Sequence, residues 1–287
     1  MSTADVAPVS QMRTSRRVRA GRALTGRTGL VIGGSLLGVL IVFALLGPLL
    51  LADPLKTDSG AVLEGPSLSH PFGTDFYGRD VLARTADAAR RDLLVPGLIV
   101  LSAATFGTLA GAIAGFFGTW VDQVIMRMTD VVLSFPALLL ALVIVAAIGN
   151  GITVVVVALA LANMPYFVRL TRSRVLSERT LEYVDAAVTL GNPRWRVGIM
   201  HVLPNSLSPT LSQATLAFGW AVLDTAGLAF LGVGVTAPTP EWGQMVGEGT
   251  RDVLSGVWWT STIPGAFILA LVLAAVLIGN GLQTGRR

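Results

Sequence analysis

Five long runs without a charged residue set the terms for this chain: residues 30–51, 93–120, 131–168, 206–235, interrupted only by Asp224, and 253–285. About 20 apolar residues cross the hydrocarbon core of a bilayer, and a backbone placed there must satisfy its own hydrogen bonds. Each run therefore predicts membrane-spanning helix. Residues 131–168 are long enough for two helices, with Gly149, Asn150 and Gly151 as the tight turn between them. The composition agrees, with 53% hydrophobic and 13% charged residues, against roughly one-quarter charged in soluble domains. The expectation is an all-α membrane protein of about six transmembrane helices. A disordered polar tail over residues 1–28 is expected to precede a single membrane domain over residues 29–287.

Orientation follows from the distribution of 20 arginines and one lysine, since basic residues in short loops stay on the cytoplasmic side. With the N-terminus inside, the inner segments hold 15 of these residues and the outer segments hold six, Lys56, Arg79, Arg84, Arg90, Arg91 and Arg251. This predicts a multi-pass membrane protein with both termini cytoplasmic. The Arg16–Arg17 pair admits a twin-arginine export reading. Arg19 stands where such a signal wants an apolar residue, however, and the run that follows exceeds a signal core of 7 to 15 residues.

Most chemistry is excluded. There are no cysteines and two histidines, His70 and His201, too few for thiolate or histidine-rich metal sites. No GxxxxGK[ST], GxSxG or HExxH motif occurs. No catalytic residue, metal ligand or bound cofactor is therefore expected in this chain.

Residues 182–205, EYVDAAVTLGNPRWRVGIMHVLPN, form a polar interruption on the predicted cytoplasmic side. Ser177 or Thr180 can cap a helix beginning near Leu181, which Gly191 and Pro193 would end. A second helix can start at Pro193 and run to about Val202, where Pro204 would block continuation. Ala186 and Ala187 leave room for a partner surface, and Asp185 offers a carboxylate to a partner's Arg or Lys. An amphipathic loop lying on the membrane surface would show the same features.

The arrangement Asp185-Ala186-Ala187, Gly191, then His201-Val202-Leu203-Pro204 resembles the EAA loop of binding-protein-dependent ABC importer permeases. Residues 70–84, HPFGTDFYGRDVLAR, and 230–243, FLGVGVTAPTPEWG, are similar to two further elements of the C-type subunit in the dipeptide, oligopeptide and nickel branch. The resemblance spans about residues 25–285. It implies a type I ABC importer permease fold with a coupling loop over about residues 176–205. It also implies a homologous second permease, two cytoplasmic ABC ATPases that use ATP and Mg, and an extracytoplasmic substrate-binding protein. Membrane lipid is the remaining partner, and no nucleic acid is expected. Carried over by position, Asp185, Ala186, Ala187, Gly191, Leu203 and Pro204 would couple to an ATPase, with Glu182 one turn earlier able to share the acidic role. The implied cargo is a peptide, with nickel or another small polar solute as the alternative. The rivals outside this family are an autonomous secondary transporter and a scaffold or receptor.

Two departures bear on the sites. Asp185 is one methylene shorter than the Glu usual in that family. The family's acid in the fifth span falls at Thr225, while the acid here is Asp224, about 100° away around a helix. Asp224 can line the pathway, contact the second permease, or lie near the outer surface. Elsewhere, Gly107, Gly111 and Gly115 predict a close helix contact, and Pro96, Pro136, Pro165 and Pro264 predict bends. Arg79 can pair with Asp75 or Asp80. Trp242, Trp258 and Trp259 are expected in an outer interfacial belt, with Trp242 also a candidate contact for a docked binding protein.

Overall fold

The computed structural model describes residues 9–284, and its elements are helices: α1 (Val9–Leu50), α2 (Val81–Phe117), α3 (Thr119–Leu133), α4 (Ala137–Ile148), α5 (Ile152–Glu178), α6 (Glu182–Thr189), α7 (Arg194–Val197), α8 (Leu203–Ser206), α9 (Ser208–Phe230), α10 (Trp242–Val253) and α11 (Trp259–Thr284). Of the tail expected over residues 1–28, residues 1–8 lie outside the described residues. From Val9 the chain runs as helix into α1, with no proline before Pro48 to interrupt it.

Four helical stretches are long and apolar enough to cross a membrane: Arg27–Leu50, Val81–Phe117, Ile152–Glu178 and Trp259–Gln283. The third expected span is not a straight helix. Thr119–Leu133 and Ala137–Ile148 meet at 90° and together make a fifth candidate. The break falls at Pro136, whose ring cannot continue a helix, whereas Pro96, Pro165 and Pro264 lie inside α2, α5 and α11. The sixth, α9, has 23 residues but carries Ser, Thr, Gln and Asp among its apolar positions. It packs against α2, α5 and α11, and so belongs to the bundle despite its lower apolarity. Leu45, Leu101, Phe106, Leu139, Val157 and Leu269 point outward and are more than half exposed, as side chains facing lipid are.

Two seams hold the bundle. Along α2 and α5, a Cβ on Gly107 would lie 2.7 Å from Phe167 Cβ, one on Gly111 2.4 Å from the Val168 carbonyl oxygen, and one on Gly115 2.9 Å from Val175 Cβ. The four-residue glycine stripe therefore lets α5 approach the α2 backbone directly, as its spacing predicts. The second seam joins α1 and α11 and continues through Leu40, Ala44, Val222, Met245 and Leu271 to Trp242.

Trp242 corrects the expectation of an interfacial tryptophan. It is fully buried, and its ring lies 5.6 Å from that of Phe267. Its indole N–H donates to the Thr85 carbonyl at 2.9 Å, and its backbone N–H donates to Asp92 Oδ2 at 3.1 Å. The adjacent acid, Glu241, caps α10 by accepting from Gln244 N–H at 2.7 Å. Capping turns the chain inward at Trp242, so the ring enters the core. Trp259 is tied to the Thr74 carbonyl at 3.0 Å, leaving Trp258 the exposed member of the three. Trp242→Ala is expected to cost about 3–5 kcal/mol, the usual loss for an emptied aromatic site. A thermal unfolding curve in detergent should show a melting temperature well below wild type, with Trp242→Phe in between.

Helix α2 begins at Val81 rather than at residue 93, because Asp80 caps it: Asp80 Oδ1 accepts the Ala83 N–H at 2.9 Å. The charges of its first turns are matched rather than loop-forming. Arg91 pairs with Asp87 at 2.6 Å, and Arg90 donates to the Ala44 and Leu45 carbonyls of α1.

Candidate functional site

The polar stretch folds at the end of the bundle where α2 and α5 finish. Val184, Ala187 and Val188 recur at helical spacing and bury one face of α6 against Val175, Val197, Val202, Ala112 and Phe116. The other face is free. Glu182, Asp185, Ala186 and Leu190 are exposed, Leu190 by 83%. Both acids lie in the first turn, where the helix dipole favours negative charge. The expected side-chain cap does not form: Leu181 is the N-cap, and the Thr180 hydroxyl turns back to the Ser177 carbonyl at 2.8 Å.

Gly191 ends α6 as expected. Its φ of +89° puts it in the region open to glycine. Its N–H donates to the Val188 carbonyl at 2.9 Å, and the Asn192 N–H donates to Ala187 at 3.3 Å, the paired bonds that close a helix end. Pro204 does not stop the chain. Residues Gly198–Val202 form a π turn in which Leu203 N–H donates to the Gly198 carbonyl, and Pro204 falls in the first turn of α8, where its missing N–H goes unneeded. Leu203 is half-buried and Pro204 exposed.

Three residues that the sequence reading passed over seat this loop. A Cβ on Gly198 would lie 2.3 Å from the Phe116 ring, so the loop rests directly on the end of α2. The guanidinium of Arg179 donates to the Gly115 carbonyl at 2.9 Å, tying the end of α5 to α2. Asp185, Arg179 and Phe116 share the lining of a cavity of about 390 Å³. At the same end α3 is held to α5 by ion pairs, Asp122 with Arg172 and Asp130 with Arg169, the latter at 2.7 Å.

The opposite end carries a locked cluster rather than an open loop. Arg79 Nε pairs with Asp75 Oδ2 at 2.6 Å, and Arg84 Nε approaches the same oxygen at 3.5 Å. Both guanidinium groups also reach Glu248 of α10, at 3.3 and 3.4 Å. Asp80 pairs with His70 at 2.8 Å instead. Residues 70–84 are thereby fixed to α10, and their polar pattern serves a structural junction. This junction borders a cavity of about 530 Å³ beside Gln244 and Asp252. Burial, and then the charge of Asp75, raise the carboxyl of Asp252 above its ordinary value.

Asp224 lies on α9, half-buried, and lines a cavity of about 370 Å³ with Asn163, Tyr166, Gln213 and Trp220. Asn163 donates its side-chain amide to the Leu159 carbonyl at 2.9 Å and also interacts with the Asp224 carboxylate. Thr225 is buried, with its hydroxyl committed to the Ala221 and Val222 carbonyls at 2.9 and 3.0 Å. The one-residue shift in the acid therefore changes which group meets the cavity.

Comparison with known proteins agrees with this architecture. Residues 107–285 match the family described as binding-protein-dependent transport system inner membrane component. The chain is 42% identical over 254 residues to the dipeptide transport system permease protein of Alkalihalophilus pseudofirmus, covering 88% of this chain and 83% of that protein. It is 41% identical over 260 residues to the di/tripeptide transport system permease of Pseudomonas aeruginosa, covering 88% and 86%. To the dipeptide transport system permease of Escherichia coli K12 it is 46% identical over 220 residues, covering 77% and 73%. Such permeases are transport subunits and not enzymes. With helices throughout, membrane-length spans and a match over most of its length, this chain belongs to the inner membrane component family of binding-protein-dependent transport systems.

Proposed function

We propose that this chain is one of two permease subunits of an ATP-driven importer of short peptides, and that α6 with the turn after it is its coupling element. In this reading the termini and α6 face the cytoplasm of a bacterial inner membrane. Two ATPase subunits bind and hydrolyse ATP with Mg there, a homologous permease completes the path, and an extracytoplasmic binding protein delivers cargo. The observation that carries the coupling role is the two-faced build of α6: one face is seated on α2 and α5, and the other leaves Glu182, Asp185, Ala186 and Leu190 free. A rigidly seated helix transmits displacement to the spans beneath it, and an exposed acidic and small-residue face can dock in a basic groove. Gly191, Leu203 and Pro204 set the path of the chain out of that helix. Ala187 is partly covered and packs inward, so its role is to seat α6, and Ala186 is the alanine open to a partner. The peptide cargo is supported by the dipeptide and di/tripeptide names of the relatives, which do not favour nickel. The test is uptake of labelled dialanine by cells with the complete importer and by cells lacking the ATPase subunits. Uptake that depends on the ATPases is expected; dialanine uptake unaffected by their removal, or uptake of nickel alone, would overturn the reading.

A further inference from the structure

A carboxylate inside a membrane span costs about 2.5–3.5 kcal/mol on insertion scales and is placed there against protein or water. Asp224 has the Asn163 side chain as a partner, but it joins none of the ion pairs found among the described residues. The nearest arginines along α5 are already engaged, Arg169 with Asp130 and Arg172 with Asp122. A neutral amide orients the carboxylate without cancelling its charge, so the site retains its attraction for a cation.

The rest of the cavity suits a particular cation. Tyr166 and Trp220 both line it and are 52% and 66% exposed, and aromatic faces attract cations. Gln213 and Asn163 add amide oxygens that can accept hydrogen bonds. A primary ammonium group has three N–H donors and one charge to place. A carboxylate, two amide oxygens and two aromatic faces meet each of these needs. The volume of about 370 Å³ lies within the range of about 300–1,000 Å³ of small-molecule sites. We infer that the cavity around Asp224 is a transit site for the protonated α-amino group of a peptide cargo, a reading that rests on the peptide-importer function proposed above.

The test uses the complete importer with its binding protein in proteoliposomes, comparing dialanine with its desamino analogue, N-propionyl-alanine, both supplied with saturating binding protein. Asp224→Asn is expected to lower the initial rate of dialanine uptake about tenfold, the scale of one lost charge-assisted contact. Asp224→Glu should keep most of the wild-type rate. Uptake of the desamino analogue should stay where it is in wild type. Dialanine uptake unchanged in Asp224→Asn, or an equal proportional fall for the analogue, would overturn the inference. Loss of the second permease from the purified Asp224→Asn complex would also overturn it, marking the residue as a subunit contact. If the wild-type complex imports no dialanine, the peptide reading itself fails, and this inference falls with it.

Discussion

Gly111→Val is expected to remove most of the folded protein from the membrane. The Cβ that valine adds would fall 2.4 Å from the Val168 carbonyl oxygen and 3.1 Å from the Arg172 nitrogen. Both are backbone atoms of α5, so no flexible side chain can move aside. Overpacking at such a contact costs about 1–3 kcal/mol even where neighbours can adjust. Here relief requires α2 and α5 to separate. That separation would also disturb the contacts of Gly107 and Gly115 and pull Arg179 from the Gly115 carbonyl, so the effect should lie at or above the top of that range. Gly97 on the same helix has nothing within 4 Å of its built Cβ, and Gly97→Val is the matched control. Detergent-extracted yield and melting temperature should fall sharply for Gly111→Val and stay near wild type for Gly97→Val; equal behaviour of the two would show that the glycine stripe does not carry the seam.

The second large effect is expected at the exposed face of α6. Asp185→Lys reverses the charge of an exposed side chain that takes part in none of the ion pairs found among the described residues, so the spans should insert and fold normally. Placing like charge against a partner's basic group costs about 2 kcal/mol or more, enough for at least a tenfold loss of import. Gly191 separates two causes. A Cβ added there would meet nothing within 4 Å, but the residue must adopt a φ of +89°, a strain of about 1–2 kcal/mol. Gly191→Ala and Gly191→Trp share that strain and differ in bulk. If the turn lies against an ATPase, Gly191→Trp should uncouple ATP hydrolysis from import while Gly191→Ala retains much of it. Identical import by the two would place the turn away from any partner.

Much of this was legible from sequence because membrane helices declare themselves. Long uncharged runs located the spans, and glycines at four-residue spacing located the α2–α5 seam. Asp185 and Ala186 of α6 are exposed as their polar and small character predicts, but Ala187, expected beside them, packs inward with Val184 and Val188. What escaped depends on contacts between residues far apart in the chain. Charges at Arg84, Arg90 and Arg91 read as the end of a loop, because Glu248, the carbonyls of α1 and the Pro240 carbonyl, which they respectively reach, are remote in sequence. Trp242 read as interfacial, because the inward turn comes from a cap at Glu241. Pro204 read as a stop, because a π turn upstream had no local signature. Gly198 offered a signal that went unused: a glycine within a short helical stretch is unfavourable unless a neighbour needs the space, and Phe116 needs it.

The central claim, that the free face of α6 docks on an ATPase, can be tested directly because the chain has no cysteine. Ala186→Cys places a single thiol on that face, and Leu254→Cys places one at the opposite end of the bundle, where Leu254 is 94% exposed. In membranes containing the assembled importer, a short reagent that alkylates the thiol at one end and carries a photoactivated insertion group at the other should link the Ala186→Cys chain to an ATPase subunit and leave the Leu254→Cys chain unlinked to it. An import-competent complex in which position 186 yields no ATPase adduct, or position 254 yields one, would contradict the account.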